Sequence, residues 1–313
     1  MSTNHRVVIT TDYLHEGDQV DTLLREHGLE PVYRTSRGPR SDEEKLALLA
    51  DAAGAVIASE PVTEAMLANA PDLKVIARSG VGYDSVDLAA ASAANVAVTN
   101  TPGVNHHAVA ELALGLMLST ARQIHSVIPA VKDGGWPRAA GTELYGKTLG
   151  IIGYGPSGKA LAQLGAALGM KVLVHTGHPE ASDNVQFASL EETLAASDYV
   201  SLHAKARGTA LITARELELM KPTAVLINTA RGSLIDEAAL AQAVAEGSIA
   251  GAGLDVLASE PMAAEHPFRS QDRILVFSHL GGQTVEARER AGIEAAHSVI
   301  EALAGKTPRN QVN

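Results

Sequence analysis

The chain has 313 residues, of which 46% are hydrophobic, 19% charged and 3% aromatic, and a formal net charge of −11. That make-up suits a globular enzyme with room for two domains and excludes a disordered chain; a field of that sign does not gather nucleic acid or anionic lipid. With no cysteine, disulfides, thiolate catalysis and Cys-ligated zinc or iron–sulfur sites are excluded as well.

Met1–His5 leads directly into Val7-Val8-Ile9-Thr10, with no basic segment before an apolar core and no apolar run of membrane-spanning length. A cytoplasmic protein is expected. Val7–Thr10, Val32–Thr35, Ala55–Ala58, Val75–Arg78 and Val96–Thr99 predict strands, with helices around 18–26, 42–51, 63–69 and 87–94. Such βα repetition predicts a mostly parallel sheet covered by helices. Asn100-Thr101-Pro102-Gly103 punctuates the chain, and Asn105 is placed to cap a long helix over Ala108–Val127, followed by a loop around Gly134–Ala140. A second series predicts strands at Leu149–Ile152, Val172–Val174, Tyr199–Leu202, Ala224–Ile227, Ala252–Val256 and Ile274–Phe277. The last helical stretch, about 283–304, has the pattern of a helix returning to the first domain. In parallel sheets, ligand loops lie beyond the carboxyl ends of the strands, so the cleft is expected between the domains.

Strand Leu149–Ile152 runs into Gly153-Tyr154-Gly155-Pro156-Ser157-Gly158 and a helical run, Lys159 to Leu168. This is the order a dinucleotide site requires. Gly153 permits the turn, Gly155 leaves room for a pyrophosphate and Gly158 lets helix and strand approach. The helix start offers unpaired N–H groups, with Pro156 well placed at its first position. An NAD site commonly has a carboxylate about 20 residues on, to accept from the adenosine ribose. Here the position reads His175-Thr176-Gly177-His178, with no acid before Glu180. Removing that acid removes its repulsion of a 2′-phosphate, which favours NADP over NAD; the alternative is a neutral turn that still tolerates NAD.

Reduction of a 2-keto acid needs a cation for the carboxylate, a proton donor for the developing alkoxide and a group that orients the donor. Arginine and histidine suit the first two tasks. Asn228-Thr229-Ala230-Arg231-Gly232, Asp255, Glu260 and His279 lie at or after the ends of predicted strands of the second series. Taken singly, Arg231 reads equally as a surface ion pair, Glu260 as a turn acid and His279 as a helix cap. The adjacent His106 and His107 have no third ligand at recognisable spacing, and no metal is expected.

Taken together, the chain resembles the D-isomer-specific 2-hydroxyacid dehydrogenases. The resemblance rests on Ala77–Asp84, Asn100–Asn105, Val109-Ala110-Glu111, the glycine fingerprint, Asn228–Gly232, Gly253–Val256, Glu260-Pro261 and His279–Gly282. It implies a Rossmann dinucleotide-binding domain over 101–284 and a flavodoxin-like substrate domain over 1–100, completed by 285–313. It implies His279 as acid–base, Glu260 as the partner favouring its imidazolium, and Arg231 as the anchor of substrate carboxylate and carbonyl. Tyr154, Gly155, Pro156, Ser157, Gly158, His175, Thr176, Gly177, His178, His203, Lys205, Thr229, Ala230, Arg231, Asp255, His279 and Gly281 fall at cofactor positions, Asp255 at the nicotinamide carboxamide. Ser79, Gly80, Val81, Gly82 and Asn105 fall at substrate positions, with backbone N–H groups of that loop directed at a carboxylate.

Three departures stand out. Ser278 replaces a family proline; Ala204-Lys205-Ala206-Arg207 replaces a Pro-Leu-Thr-like loop; and His178 replaces the arginine of NADP-using relatives. Lys205 or Arg207 could assist a 2′-phosphate, and NADP stays ahead of NAD. The expected substrate is a small keto acid such as glyoxylate or hydroxypyruvate, and the expected assembly is a homodimer using the 105–130 region. Phosphoglycerate- or D-lactate-type oxidation with NAD, phosphite oxidation and a non-catalytic dinucleotide sensor are the alternatives. Glu260 argues against formate, since formate dehydrogenases carry glutamine there.

Overall fold

The computed structural model describes residues 5–36, 38 and 40–313. Met1–Asn4, part of the segment read for a leader, lie outside the described residues, as do Arg37 and Pro39. The chain divides into two compact units, 1–105 with 283–313, and 106–282.

In the first unit five parallel strands, β1 (Arg6–Ile9), β2 (Glu30–Tyr33), β3 (Gly54–Ile57), β4 (Val75–Arg78) and β5 (Ala97–Thr99), are ordered β2-β1-β3-β4-β5. That is the flavodoxin-like order. The strands are short and β-branched, and their central members are buried on both faces, as sheets flanked by helices require. The long helix Val285–Leu303 buries Ala295, Ala296 and Val299 in one cluster with Val7, Ile9, Val56, Val75 and Ala77. Thr284 caps it, accepting from Ala287 N at 3.2 Å.

The second unit holds β6 (Thr148–Ile152), β7 (Lys171–His175), β8 (Gln186–Phe187), β9 (Tyr199–Leu202), β10 (Val225–Asn228), β11 (Gly251–Leu254) and β12 (Ile274–Val276). They are parallel and ordered β12-β11-β10-β9-β6-β7-β8. The reversal between β6 and β9 is a topological switch point of the Rossmann kind, where the crevice beyond the carboxyl ends opens.

Two expectations are corrected. The helix expected over Ala108–Val127 is two helices, His106–Arg122 and Ile124–Lys132, separated by Gln123 in the left-handed region at φ 53°. Its hydrogen-bond ladder is diverted: the Ala121 carbonyl accepts from Thr142 N of the returning loop at 2.9 Å. The helix expected over 42–51 ends at Ala47, after which Leu48 N turns to Lys45 O at 3.2 Å. Edge strand β8 and helices Leu190–Ala196, Ala214–Glu218 and Glu237–Glu246 lie where no element had been placed. Among the described residues no helix is long and apolar enough to cross a membrane.

Candidate active site

β6 delivers the glycine fingerprint to the switch point. Gly153 turns at φ 99°, and a β-carbon there would stand 2.6 Å from the His203 carbonyl. A β-carbon on Gly158 would strike the Gly153 oxygen. A β-carbon on Gly155 would meet nothing within 4 Å among the described residues. Gly155 caps the helix Pro156–Ala167 without any side-chain hydrogen bond, leaving first-turn N–H groups for an anion.

His203, just past β9, is fastened to this turn. Its N–H donates to Ile152 O at 2.7 Å; its Nδ1 lies 3.1 Å from Ser157 Oγ and its Nε2 2.9 Å from Ser201 Oγ. Burial lowers its pKa to about 4, so it sits between two hydroxyls as a neutral ring. At the end of β7, Thr176 Oγ1 accepts from His178 N at 3.2 Å and His175 Nδ1 lies 3.3 Å from Ala188 O. Gly177 and His178 are exposed, as are Lys205 and Arg207. Glu180, the first acid after this turn, is paired with Lys159 at 2.8 Å.

The chemistry-bearing side chains stand at the ends of β10, β11 and β12. Buried Asn228 shapes the turn after β10: its Nδ2 donates to Arg231 O at 2.8 Å and its Oδ1 accepts from Ala230 N at 3.0 Å. Arg231 Nη1 donates to Ala230 O at 2.8 Å. Thr229 Oγ1 is buried without a hydrogen-bond partner among the described residues.

His279 Nδ1 lies 2.8 Å from Glu260 Oε2, and Glu260 Oε1 accepts from Leu257 N at 2.9 Å. The carboxylate is placed to accept from Nδ1–H, and Nε2 makes no hydrogen bond among the described residues. His279 has φ 61°, a conformation that costs a residue with a β-carbon about 1–3 kcal/mol. Asp255, 1% exposed, holds it there. His279 N donates to the Asp255 carbonyl at 2.9 Å, while Leu280 N and Gly281 N donate to its two carboxylate oxygens at 2.7 and 2.8 Å.

In the first unit, Ser79–Gly82 follows β4 with its carbonyls turned inward. Thr101 N donates to Gly80 O at 3.0 Å, Asn100 Nδ2 to Val81 O at 2.7 Å and Arg78 Nε to Gly82 O at 2.9 Å. The N–H groups of Gly80, Val81 and Gly82 have no hydrogen-bond partner among the described residues. Tyr13 OH lies 2.6 Å from Ser79 Oγ, and the Arg288 guanidinium is 4.9 Å from the Tyr13 ring centroid. Asn105 is half-buried at the end of this unit's first segment.

Within the second unit, therefore, Glu260 and His279 are in contact, and Asp255, Leu280 and Gly281 form one hydrogen-bonded group. Sequence reading missed Tyr13 and the bracing role of Asn228. Tyr13 follows shortly after the carboxyl end of β1, a position that the parallel-sheet rule marks for ligand contact.

Residues 114–281 match the family model described as "D-isomer specific 2-hydroxyacid dehydrogenase, NAD binding domain". The chain is 40% identical to a D-3-phosphoglycerate dehydrogenase of Mycobacterium bovis over 88% of its own length and 54% of the relative's, so it spans about half of that protein. It is also 40% identical to a glyoxylate reductase of Thermococcus litoralis, over 82% of each chain. The crystal structure of the TT0316 protein from Thermus thermophilus superimposes with a TM-score of 0.89 at 35% identity, over 98% of this chain and 100% of the other.

Proposed function

We propose that this chain, which belongs to the D-isomer-specific 2-hydroxyacid dehydrogenase family, is an NAD(P)-dependent reductase of small 2-keto acids such as glyoxylate or hydroxypyruvate. The observation that carries this reading is the 2.8 Å contact between His279 Nδ1 and Glu260. It holds the imidazole in one orientation, with the carboxylate accepting from Nδ1–H.

A nicotinamide dinucleotide, when bound, supplies the hydride that reduces the keto carbon. The open space above Gly155, the uncapped helix start and the unpartnered Thr229 hydroxyl fit such a group. Tyr154, Gly155, Pro156, Ser157 and Gly158 would hold its pyrophosphate, with His203 fixing Ser157. Thr229, Ala230, Asp255 and Gly281 would border its nicotinamide end. Arg231 anchors the carboxylate and carbonyl oxygen of the substrate. By the family resemblance, Ser79, Gly80, Val81, Gly82 and Asn105 of the first unit are further substrate-binding residues, the loop acting through its backbone N–H groups. His279 then gives its Nε2 proton to the oxygen as the alkoxide develops, and Glu260 stabilises the ring before the transfer. In oxidation His279 takes that proton back.

NADP is the cofactor this reading prefers. No carboxylate closes the ribose position after β7, and Glu180 is engaged by Lys159. His175, Thr176, Gly177 and His178, with Lys205 nearby in sequence to His203, offer donors in place of the acid.

A homodimer is supported by apolar side chains displayed in the second unit. Ile124, Ile128 and Val131 follow helical spacing and are 41%, 51% and 40% exposed, and Trp136 is 80% exposed. The test of function is an initial-rate panel of glyoxylate, hydroxypyruvate, pyruvate and 3-phosphohydroxypyruvate, each with NADH and NADPH. The expected result is fastest turnover of glyoxylate or hydroxypyruvate with NADPH. Preference for 3-phosphohydroxypyruvate, or no turnover at all, contradicts the reading.

A further inference from the structure

Glu260 stands on an exposed stretch of loop: Ala258, Ser259, Glu260 and Pro261 are all exposed. An exposed loop keeps one shape only if polar ties or close backbone packing fix it. Those ties converge on Glu237, in the first turn of helix Glu237–Glu246. Its Oε1 accepts from Ala258 N at 2.7 Å, two residues before Glu260. Its Oε2 lies 3.1 Å from His266 Nε2 at the far end of the same loop. His266 Nδ1 accepts from Phe268 N at 3.3 Å, which puts the ring proton on Nε2, where it donates to Glu237. The ring also meets Phe268 edge-on at 4.6 Å, and Phe268 is buried in the core.

The side chains of Glu237 and His266 are only 18% and 14% exposed. Arg269 adds two bonds to the middle of the loop, to Ala263 O at 2.8 Å and Met262 O at 3.0 Å. Gly232, next to Arg231, packs so closely on the Leu257–Ala258 backbone that a β-carbon there would overlap it. One junction therefore fixes the loop of Glu260 against the turn that carries Arg231.

We propose that Glu237 is a positioning residue for the acid–base pair, and that His266 orients Glu237 for this task. Glu237 holds Ala258, Ala258 fixes the register in which Leu257 N binds Glu260 Oε1, and Glu260 Oε2 remains aimed at His279 Nδ1. The inference rests on the acid–base reading of His279 and Glu260. Neither Glu237 nor His266 touches the reacting atoms.

The test combines kinetics with imidazole nitrogen NMR of the unliganded full chain carrying 15N-histidine, His279 being assigned by its loss in His279→Ala. Long-range 1H–15N spectra report which nitrogen of neutral His279 bears the proton. Wild-type protein is expected to show the Nδ1–H form, and Glu237→Ala a mixture with the Nε2–H form. Glu237→Ala should also lower kcat for glyoxylate about tenfold to a hundredfold, with KM for the cofactor within about threefold. His266→Gln, whose amide can still donate to Glu237, should behave as wild type, while His266→Ala should reproduce the tautomer mixture should Glu237→Ala fail to fold.

A Glu237→Ala protein with the wild-type tautomer and wild-type kcat overturns the proposal. His266→Gln as impaired as His266→Ala overturns the part given to His266. If the wild type reduces no keto acid, the activity reading fails while the tautomer measurement still decides whether Glu237 sets the pair.

Discussion

Asp255 and Gly281 are so close that a β-carbon at position 281 would stand 2.8 Å from Asp255 Oδ2, the oxygen that accepts the Gly281 N–H, also at 2.8 Å. The buried carboxylate is thereby spent on the backbone of the loop that carries His279. Its oxygens organise a left-handed histidine that would otherwise relax. Replacing Asp255 by Asn puts an amide N–H against one of two backbone donors. Asp255→Asn is expected to lower kcat at least about tenfold, with cofactor affinity falling by a clearly smaller factor. Steady-state kinetics and fluorescence titration of the cofactor check this. Equal losses in both quantities would show that Asp255 acts chiefly on the cofactor.

The glycine fingerprint separates a binding defect from a folding defect. Gly155 has ordinary φ of −78° and open space above it, whereas Gly158 has the Gly153 carbonyl directly in the way. Gly155→Val should keep its thermal midpoint within about 3 °C of wild type and bind cofactor more than about tenfold more weakly. Gly158→Ala should instead lower the midpoint, by about 4 °C or more. Thermal melts and binding titrations on the two variants distinguish these outcomes.

This contrast also shows what the sequence made legible. Strand, GxGxxG and helix follow one another locally, so the place of a pyrophosphate could be read from a few adjacent residues. Glu260 and His279 were found through family motifs, since nothing in their spacing says that a carboxylate and an imidazole 19 positions apart will touch. The Asp255 carboxylate's grip on Leu280 and Gly281, and that of Glu237 on Ala258, were hidden because they join side chains to backbone atoms distant in sequence. Gln123 broke an apolar helical pattern because Thr142, a loop residue with no periodic signal, captures the Ala121 carbonyl. The two parallel sheets were read well from β-branched runs; short edge strand β8, only two residues long, offered no such run.

Cofactor choice should respond to charge after β7. Thr176→Asp restores an acceptor for ribose hydroxyls and repels a 2′-phosphate. The ratio of kcat/KM for NADPH to that for NADH is expected to fall about tenfold or more. An unchanged ratio would remove Thr176 from cofactor discrimination.

His203 gives the protein an acid-side liability. Burial lowers its folded pKa to about 4 from an ordinary 6.5, so between these values the unfolded chain binds the proton more readily. Stability from this residue is complete above about pH 6.5 and falls as pH drops towards 4, by roughly 3 kcal/mol in all. His203→Asn, which keeps a polar partner near Ser157 without this titration, should lose less stability than wild type between pH 7 and 4.5. Urea unfolding at the two pH values measures the difference, and parallel losses in the two proteins would contradict it.

His279 as the proton-transferring group is the central assignment. Its direct test is the reduction of glyoxylate with NADPH by His279→Ala, measured in a single turnover together with cofactor binding. Loss of about a hundredfold or more in the rate of NADPH oxidation, with cofactor affinity retained, is the expected result. Oxidation of NADPH at the wild-type rate by His279→Ala would contradict the acid–base assignment.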